Sequence, residues 1–512
     1  MRPLEILILL STFVFLAGFF FPKRKRPRFF ALIPFFSGIV VLIHLLWEKY
    51  RWQMVPAYVL VICLVLISLV QIGKATEEGK PASRGRRIMA VVQTVFGFLL
   101  LVIVSAIPWL FPVVNLPKPT GPFAVGTSAM HFVDPSRQET LSETPGGYRE
   151  SMVRIWYPAK PASGSKPIPY WEKANIIGPI RVEDDLHKWG LTWIPRYFLN
   201  HFSLMRTNSY PDAPLADNLS SCPVIIFSPG GGVIHEHNFL HMEELASQGY
   251  VVMSLSHPYE AWAVIFPDGR VARGNRLKAK TAPTKEEKDR EKKATELVER
   301  LKQSKDIEER KSIMREFFKL DPDGILDKLL SIRVQDVKFA LDELGKVNAG
   351  ERASGLKGKL DLEHVGVFGM SLGGAVAGQA CLEDERIKAG INLDGTQFGT
   401  LLDSFLHQPF MFMNSGESKD HNDFVYDRLK NDAYSVIIKG SSHMDFTDMY
   451  FTMPIVKRFA KNVISDKRMY RVANAYILAF FNKYLKDMES PLLKGPSGEY
   501  PEVTFRIIAA KK

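Results

Sequence analysis

Three side chains of this 512-residue chain could together split an ester. Ser371 sits at the centre of "GMSLG", Asp394 closes the apolar run "AGINLD", and His443 follows "VIIKGSS". A serine hydroxyl is a poor nucleophile until a base takes its proton and a third group orients that base. His443 is the candidate base and Asp394 the candidate acid. His407 and His421 compete for the base, but His407 precedes its apolar run and His421 lies in the polar stretch "KDHND". The same chemistry builds negative charge on the carbonyl oxygen, which two backbone N–H groups can hold. One is assigned to Leu372, next to the serine. The other is assigned to Gly231 in "SPGGGV", where glycines let the backbone approach a substrate closely.

For these residues to meet, the chain must place them at one edge of a sheet. "HVGVF" reads as a strand, the next residues as a sharp turn, and "AVAGQACL" as a helix. That strand–turn–helix context, with glycine two residues either side of the serine and the order Ser, Asp, His, is the nucleophile elbow of α/β hydrolases. Further apolar runs are "SMVRIWYP" (151–158), "CPVIIFS", "YVVMSLS", "IKAGINL", "PFMFMNS" and "AYSVII". Helical spacing marks "SIRVQDVKFALDELGKV" and "ANAYILAFFNKYL". Continuous apolar strands alternating with helices predict a mostly parallel sheet covered on both faces. Function then gathers at the carboxyl ends of the strands. An α/β-hydrolase fold is expected over residues 113–512, beginning at the break "NLPKPTGPF". Residues 276–320 are dominated by charges of both signs and predict a solvated helical insertion, with a cap over the site or a membrane-facing surface as the functional alternative.

Residues 1–112 are different. Four apolar stretches, at about 4–21, 30–47, 54–72 and 89–111, approach the ~20 residues that cross a bilayer. Lys23, Arg24, Lys25, Arg26 and Arg28 follow the first stretch, a stop-transfer pattern that predicts an uncleaved span. A second basic cluster holds Lys74, Lys80, Arg84, Arg86 and Arg87. With both clusters on the cytoplasmic side, a multi-pass membrane protein with an extracytoplasmic catalytic domain is expected. Much of the net charge of +11 lies in these clusters, which suits a membrane surface better than nucleic acid. His44, near a helix end, is expected at the interface. No zinc-type Cys/His spacing or Walker-type glycine loop is present, and Cys63, Cys222 and Cys381 do not suggest a disulfide framework.

Taken in order, "GPFAVGTSAMHF", "VRIWYPAK", "IIFSPGGG", "LASQGYVVMSLSHP", "VGVFGMSLGG", "INLDG", "QPFMFMNSGES" and "IIKGSSHMDFTDMYF" resemble the plasma-type platelet-activating factor acetylhydrolases. The resemblance covers roughly residues 117–485. It implies a serine esterase of α/β-hydrolase fold that needs no metal or cofactor, with Ser371 as nucleophile, Asp394 as acid, His443 as base and the N–H groups of Gly231 and Leu372 as oxyanion donors. Its implied substrates are phospholipids with short or oxidised acyl chains, or similar lipid esters. A general carboxylesterase and a serine acyltransferase share the chemistry, and a catalytically inactive membrane sensor or interaction protein is the reading from another class. The N-terminal spans are foreign to that secreted family, and Pro229 stands where its motif carries His.

Overall fold

The computed structural model describes the chain except residues 22–25, 74–83, 145, 188–189, 218, 275–283, 322–323, 419–420, 461–462 and 510–512. Four helices come first: α1 (Pro3–Gly18), α2 (Ile33–Trp47), α3 (Val55–Gly73) and α4 (Arg84–Leu110). Among the described residues three segments, not the expected four, are long and apolar enough to cross a membrane: Phe29–Trp47, Trp52–Val70 and Val91–Leu110. The span expected over 4–21 is corrected because α1 stops at Gly18. Its 16 residues rise ~24 Å, short of ~30 Å of hydrocarbon. Lys23, Arg24, Lys25, Lys74 and Lys80 lie outside the described residues.

Polar residues gather one end of each helix. Arg51 Nε and Nη2 donate to the Glu5 carboxylate at 2.6 and 2.7 Å, and Arg51 Nη1 donates to the Phe111 carbonyl at 2.5 Å. His44 is buried among them, its two nitrogens 3.0 Å from Glu48 and 2.7 Å from the Tyr58 hydroxyl. This end docks on the rest of the chain. Trp52 Nε1 and Gln53 Nε2 each donate to the Phe198 carbonyl at 3.0 Å, and Phe111 packs edge-on against the Phe198 ring.

Beyond Phe123 strands and helices alternate: β1 (Ala124–Gln138), β2 (Tyr148–Ala159), α5 (Ala174–Arg181), β3 (Ser209–Pro211), β4 (Cys222–Ser228), α6 (Phe239–Ser247), β5 (Val251–Ser256), β6 (Ala263–Ile265), β7 (Val271–Arg273), α7 (Lys285–Gln303), α8 (Ile307–Phe318), α9 (Ile325–Ala349), β8 (Leu360–Met370) and α10 (Leu372–Glu383). The series closes with β9 (Ile387–Leu393), β10 (Phe410–Ser415), α11 (Asp423–Tyr426), β11 (Ala433–Ile438), α12 (Met449–Thr452), α13 (Pro454–Phe459), α14 (Asp466–Lys486) and β12 (Val503–Ile508). Ten strands form one sheet in the order β12-β11-β10-β9-β8-β4-β5-β2-β1-β3. The centre, from β11 to β5, is parallel throughout. β12 and β2 join its two sides antiparallel, and β1 pairs antiparallel with β2.

Strand β4 shows why its sequence is an unbroken apolar run. Ile225 and Phe227 point into one core with α6 and α14, whereas Val224 and Ile226 point into the other with α9 and α10. Successive side chains face opposite sides of a strand, so a sheet covered twice needs an apolar residue at every position. All four are fully buried, and each contributes about 1.5–3 kcal/mol.

The charged segment expected over 276–320 forms the hairpin α7–α8, with 276–283 outside the described residues. Thr284 and Glu287 make a capping box at the start of α7. Leu297, Leu301, Ile313 and Met314 turn inward to the second core. Phe318 stacks on Phe398, at 4.6 Å, so α8 rests on the loop that follows β9.

Candidate active site

Ser371 is where β8 stops and α10 starts. Its φ of 57° and ψ of −122° lie in a region that costs a non-glycine residue of order 1–3 kcal/mol. Packing holds it there: the Ser371 N–H donates to the Leu393 carbonyl at 2.9 Å, and the Gly374 N–H donates to the Ser371 carbonyl at 2.9 Å. A methyl group at Gly373 would overlap the Ser228 carbonyl oxygen, and one at Gly369 would overlap the Gly373 carbonyl. Gly373→Ala therefore separates the elbow from the loop after β4. Thermal unfolding should show a loss of roughly 3 kcal/mol, the upper part of the overpacking range.

Asp394 directly follows β9, the strand beside β8, also at positive φ (53°). Its carboxylate is fully buried and accepts from the Ser415 N–H at 2.6 Å and the Ser418 hydroxyl at 3.4 Å. Its Oδ2 lies 2.8 Å from His443 Nδ1. His443 opens a single turn of 3₁₀ helix after β11. Asp445 anchors that turn, accepting from the Ser442 N–H at 2.8 Å and from Lys457 Nζ at 2.6 Å. With Nδ1 taken by Asp394, Nε2 is the nitrogen left to accept a proton. The Ser371 hydroxyl is half-buried and makes no hydrogen bond among the described residues.

The competing histidines are placed elsewhere. His407 is exposed just before β10, at the end of the parallel strands opposite Ser371. His421 lies 3.4 Å from the Thr396 hydroxyl and, with Thr396, lines a cavity of about 60 Å³ under Leu297, Leu301 and Phe317.

The glycine loop after β4 reaches the elbow. A Cβ on Gly231 would sit 3.5 Å from Leu372 Cδ2, so these two backbones are neighbours. Neither N–H donates to a described residue. Two residues absent from the sequence-based reading hold this loop. Arg333 donates to the carbonyls of Pro229 (2.5 Å) and Gly230 (3.1 Å) and pairs with Glu260 at 2.7 and 2.6 Å. Burial pushes the Glu260 carboxyl up, but the Arg333 charge and hydrogen bonds hold it below its usual range. The signal was present: Arg333 falls among Leu330, Val334 and Val337 on the apolar face of α9.

A second Ser–His–Asp set lies behind the loop. His257 sits between Asp336 (2.8 Å) and the Ser228 hydroxyl (3.4 Å). Burial, with the nearby Arg333 charge, pushes this imidazole down to about 4. Ser228 is fully buried, so no ester reaches it. Metal-type side chains converge at Glu5, His44 and Glu48. Arg2 and Arg51 already neutralise those carboxylates, so the donor set does not fit a cation.

The profile of the family described as platelet-activating factor acetylhydrolase, isoform II, matches residues 110–492. A probable 1-alkyl-2-acetylglycerophosphocholine esterase of Arthroderma benhamiae is 24% identical over 436 residues, spanning 79% of this chain and 96% of its own. A platelet-activating factor acetylhydrolase of Cavia porcellus is 26% identical over 390 residues, spanning 72% of this chain and 78% of its own. Among solved structures, a ferulic acid esterase from Streptomyces cinnamoneus aligns with a TM-score of 0.57 at 25% identity. It covers 77% of this chain and 99% of its own.

Proposed function

The chain belongs to the platelet-activating factor acetylhydrolase isoform II family, and we propose that it hydrolyses short-acyl lipid esters through Ser371, His443 and Asp394. The observation that carries this reading is the 2.8 Å contact between His443 Nδ1 and the buried Asp394 carboxylate, beside a serine held in a strained turn. Ser371 Oγ attacks the ester carbonyl carbon while His443 Nε2 takes its proton. The carbonyl oxygen, now negative, is held by the N–H groups of Gly231 and Leu372. His443 returns the proton to the departing alcohol oxygen as the C–O bond breaks, leaving an acyl-serine. Water, giving a proton to His443, then attacks the acyl carbon, and Ser371 leaves reprotonated.

The names of the relatives favour an acetyl ester on a glycerophospholipid. The full chain in detergent should release acetate from 1-alkyl-2-acetylglycerophosphocholine at least tenfold faster than palmitate from its 2-palmitoyl analogue. Equal rates, or no acetate, would contradict this substrate class.

We also propose that α2, α3 and α4 span a bilayer with the catalytic domain outside the cytoplasm. Residues 51 and 108–111 share the end that docks on Phe198. In sequence both basic clusters fall between the opposite ends of the helices, and such clusters stay cytoplasmic. A Gly498→Cys variant tests this, because Gly498 is exposed and a Cβ there meets nothing within 4 Å. A membrane-impermeant maleimide should label it in intact cells. Labelling only after permeabilisation would reverse the orientation.

A further inference from the structure

We propose that Arg333 is the positioning residue of the oxyanion hole, holding the Gly230–Gly231 peptide so that its N–H faces the reacting carbonyl oxygen; this rests on the ester-hydrolase reading above. The Gly230 carbonyl and the Gly231 N–H belong to one peptide unit. No described peptide bond is cis, and in a planar trans unit the C=O and N–H point in opposite directions. Arg333 Nη2 grips that carbonyl at 3.1 Å from inside the protein. The N–H must then point outward, toward the side where Leu372 lies.

The neighbouring units are held by the same pair. Arg333 Nη1 takes the Pro229 carbonyl at 2.5 Å, and the Gly232 N–H donates to the Glu260 carboxylate. The Gly232 carbonyl accepts from the Trp262 N–H at 3.1 Å. A glycine-rich loop has many backbone conformations of similar energy, so these contacts choose the one with the donor aimed. Arg333 makes four bonds at once, one to each of two carbonyls and two to a carboxylate, in a fixed planar fork; an ammonium has three donors and no such fork. Removing two charges from water is costly, and an apolar pair would often serve stability as well or better. With side chains 0% and 2% exposed, Arg333 and Glu260 carry that cost at the one loop where a donor must be aimed.

The test compares wild type, Arg333→Lys and the double variant Arg333→Met/Glu260→Gln, which removes both buried charges together, each as the full chain in detergent. Two quantities are measured: kcat and KM for p-nitrophenyl acetate, and the inhibition constant of an alkyl trifluoromethyl ketone. The ketone forms a C–O bond with Ser371 Oγ, the serine proton passes to His443, and the ketone oxygen becomes an oxyanion in the hole. Misaiming one donor costs roughly 10²–10³-fold. The double variant is expected to lose about that factor in kcat with KM within threefold, and the ketone should weaken by the same factor as kcat/KM. Arg333→Lys should fall between the two, and it carries the test if the double variant does not fold. Turnover within threefold of wild type in a folded variant, or lost turnover with unchanged ketone affinity, would overturn the proposal. Wild type that neither turns over nor binds the ketone would instead sink the ester-hydrolase reading beneath it.

Discussion

Replacing Ser371 with alanine should lower ester turnover by roughly 10⁴–10⁶-fold while leaving the fold intact. The activity loss follows from chemistry: without Oγ no acyl-enzyme forms, and only binding and the oxyanion donors remain to act on water. The intact fold follows from structure. The hydroxyl makes no hydrogen bond among the described residues, so none is broken. Alanine also meets the same backbone strain at φ 57° that serine does. Unfolding midpoints should agree within the ±0.5 kcal/mol typical of a neutral substitution. A variant that keeps even a tenth of wild-type turnover would move the nucleophile elsewhere.

Asp394→Asn should cost roughly 10⁴-fold in kcat, about 5.5 kcal/mol of barrier, with little change in KM. The contacts of Asp394 give the reason. Its Oδ1 accepts from the Ser415 N–H at 2.6 Å, and an asparagine oxygen keeps that bond. The amide nitrogen must then face His443 Nδ1, which becomes an acceptor. The ring proton moves to Nε2, the atom that has to take the serine proton. The base is present and well placed, yet in the wrong tautomer. Single-turnover kinetics on a soluble ester would show a slow acylation step; a loss below tenfold would mean that the carboxylate is not orienting the base.

Much of the catalytic half was legible because a doubly covered parallel sheet leaves a plain trace. β9 and β11 begin where their apolar runs do and β10 one residue later, and the three runs lead to Asp394, Ser415 and His443, which meet at the Asp394 carboxylate. β1 left no such trace. It lies near the sheet's edge, its residues include Thr127, Ser128, Asp134 and Pro135, and its pairing with β2 cannot be read from local pattern. α1 was misjudged for length because "FFF" continues the apolar run after the helix has ended at Gly18. The support around the site was hidden more deeply. Arg333 and Asp336 sit one turn apart on α9, and their partners Glu260 and His257 lie some 70–80 residues earlier. Arg333 interrupts an apolar helix face in the sequence, but only the fold shows that Glu260 neutralises it.

Whether Ser371 is an activated nucleophile can be tested with a fluorophosphonate, without any choice of natural substrate. Attack by Ser371 Oγ forms an O–P bond and expels fluoride, a reaction that an unactivated serine does not perform at a useful rate. The full chain in detergent is treated with the probe, digested and read by mass spectrometry, with Ser371→Ala and His443→Ala alongside. One modified peptide is expected, spanning "VGVFGMSLGG", with the adduct on Ser371 in wild type and none in either variant. An adduct on another serine, or a folded wild-type protein that stays unlabelled, would contradict it.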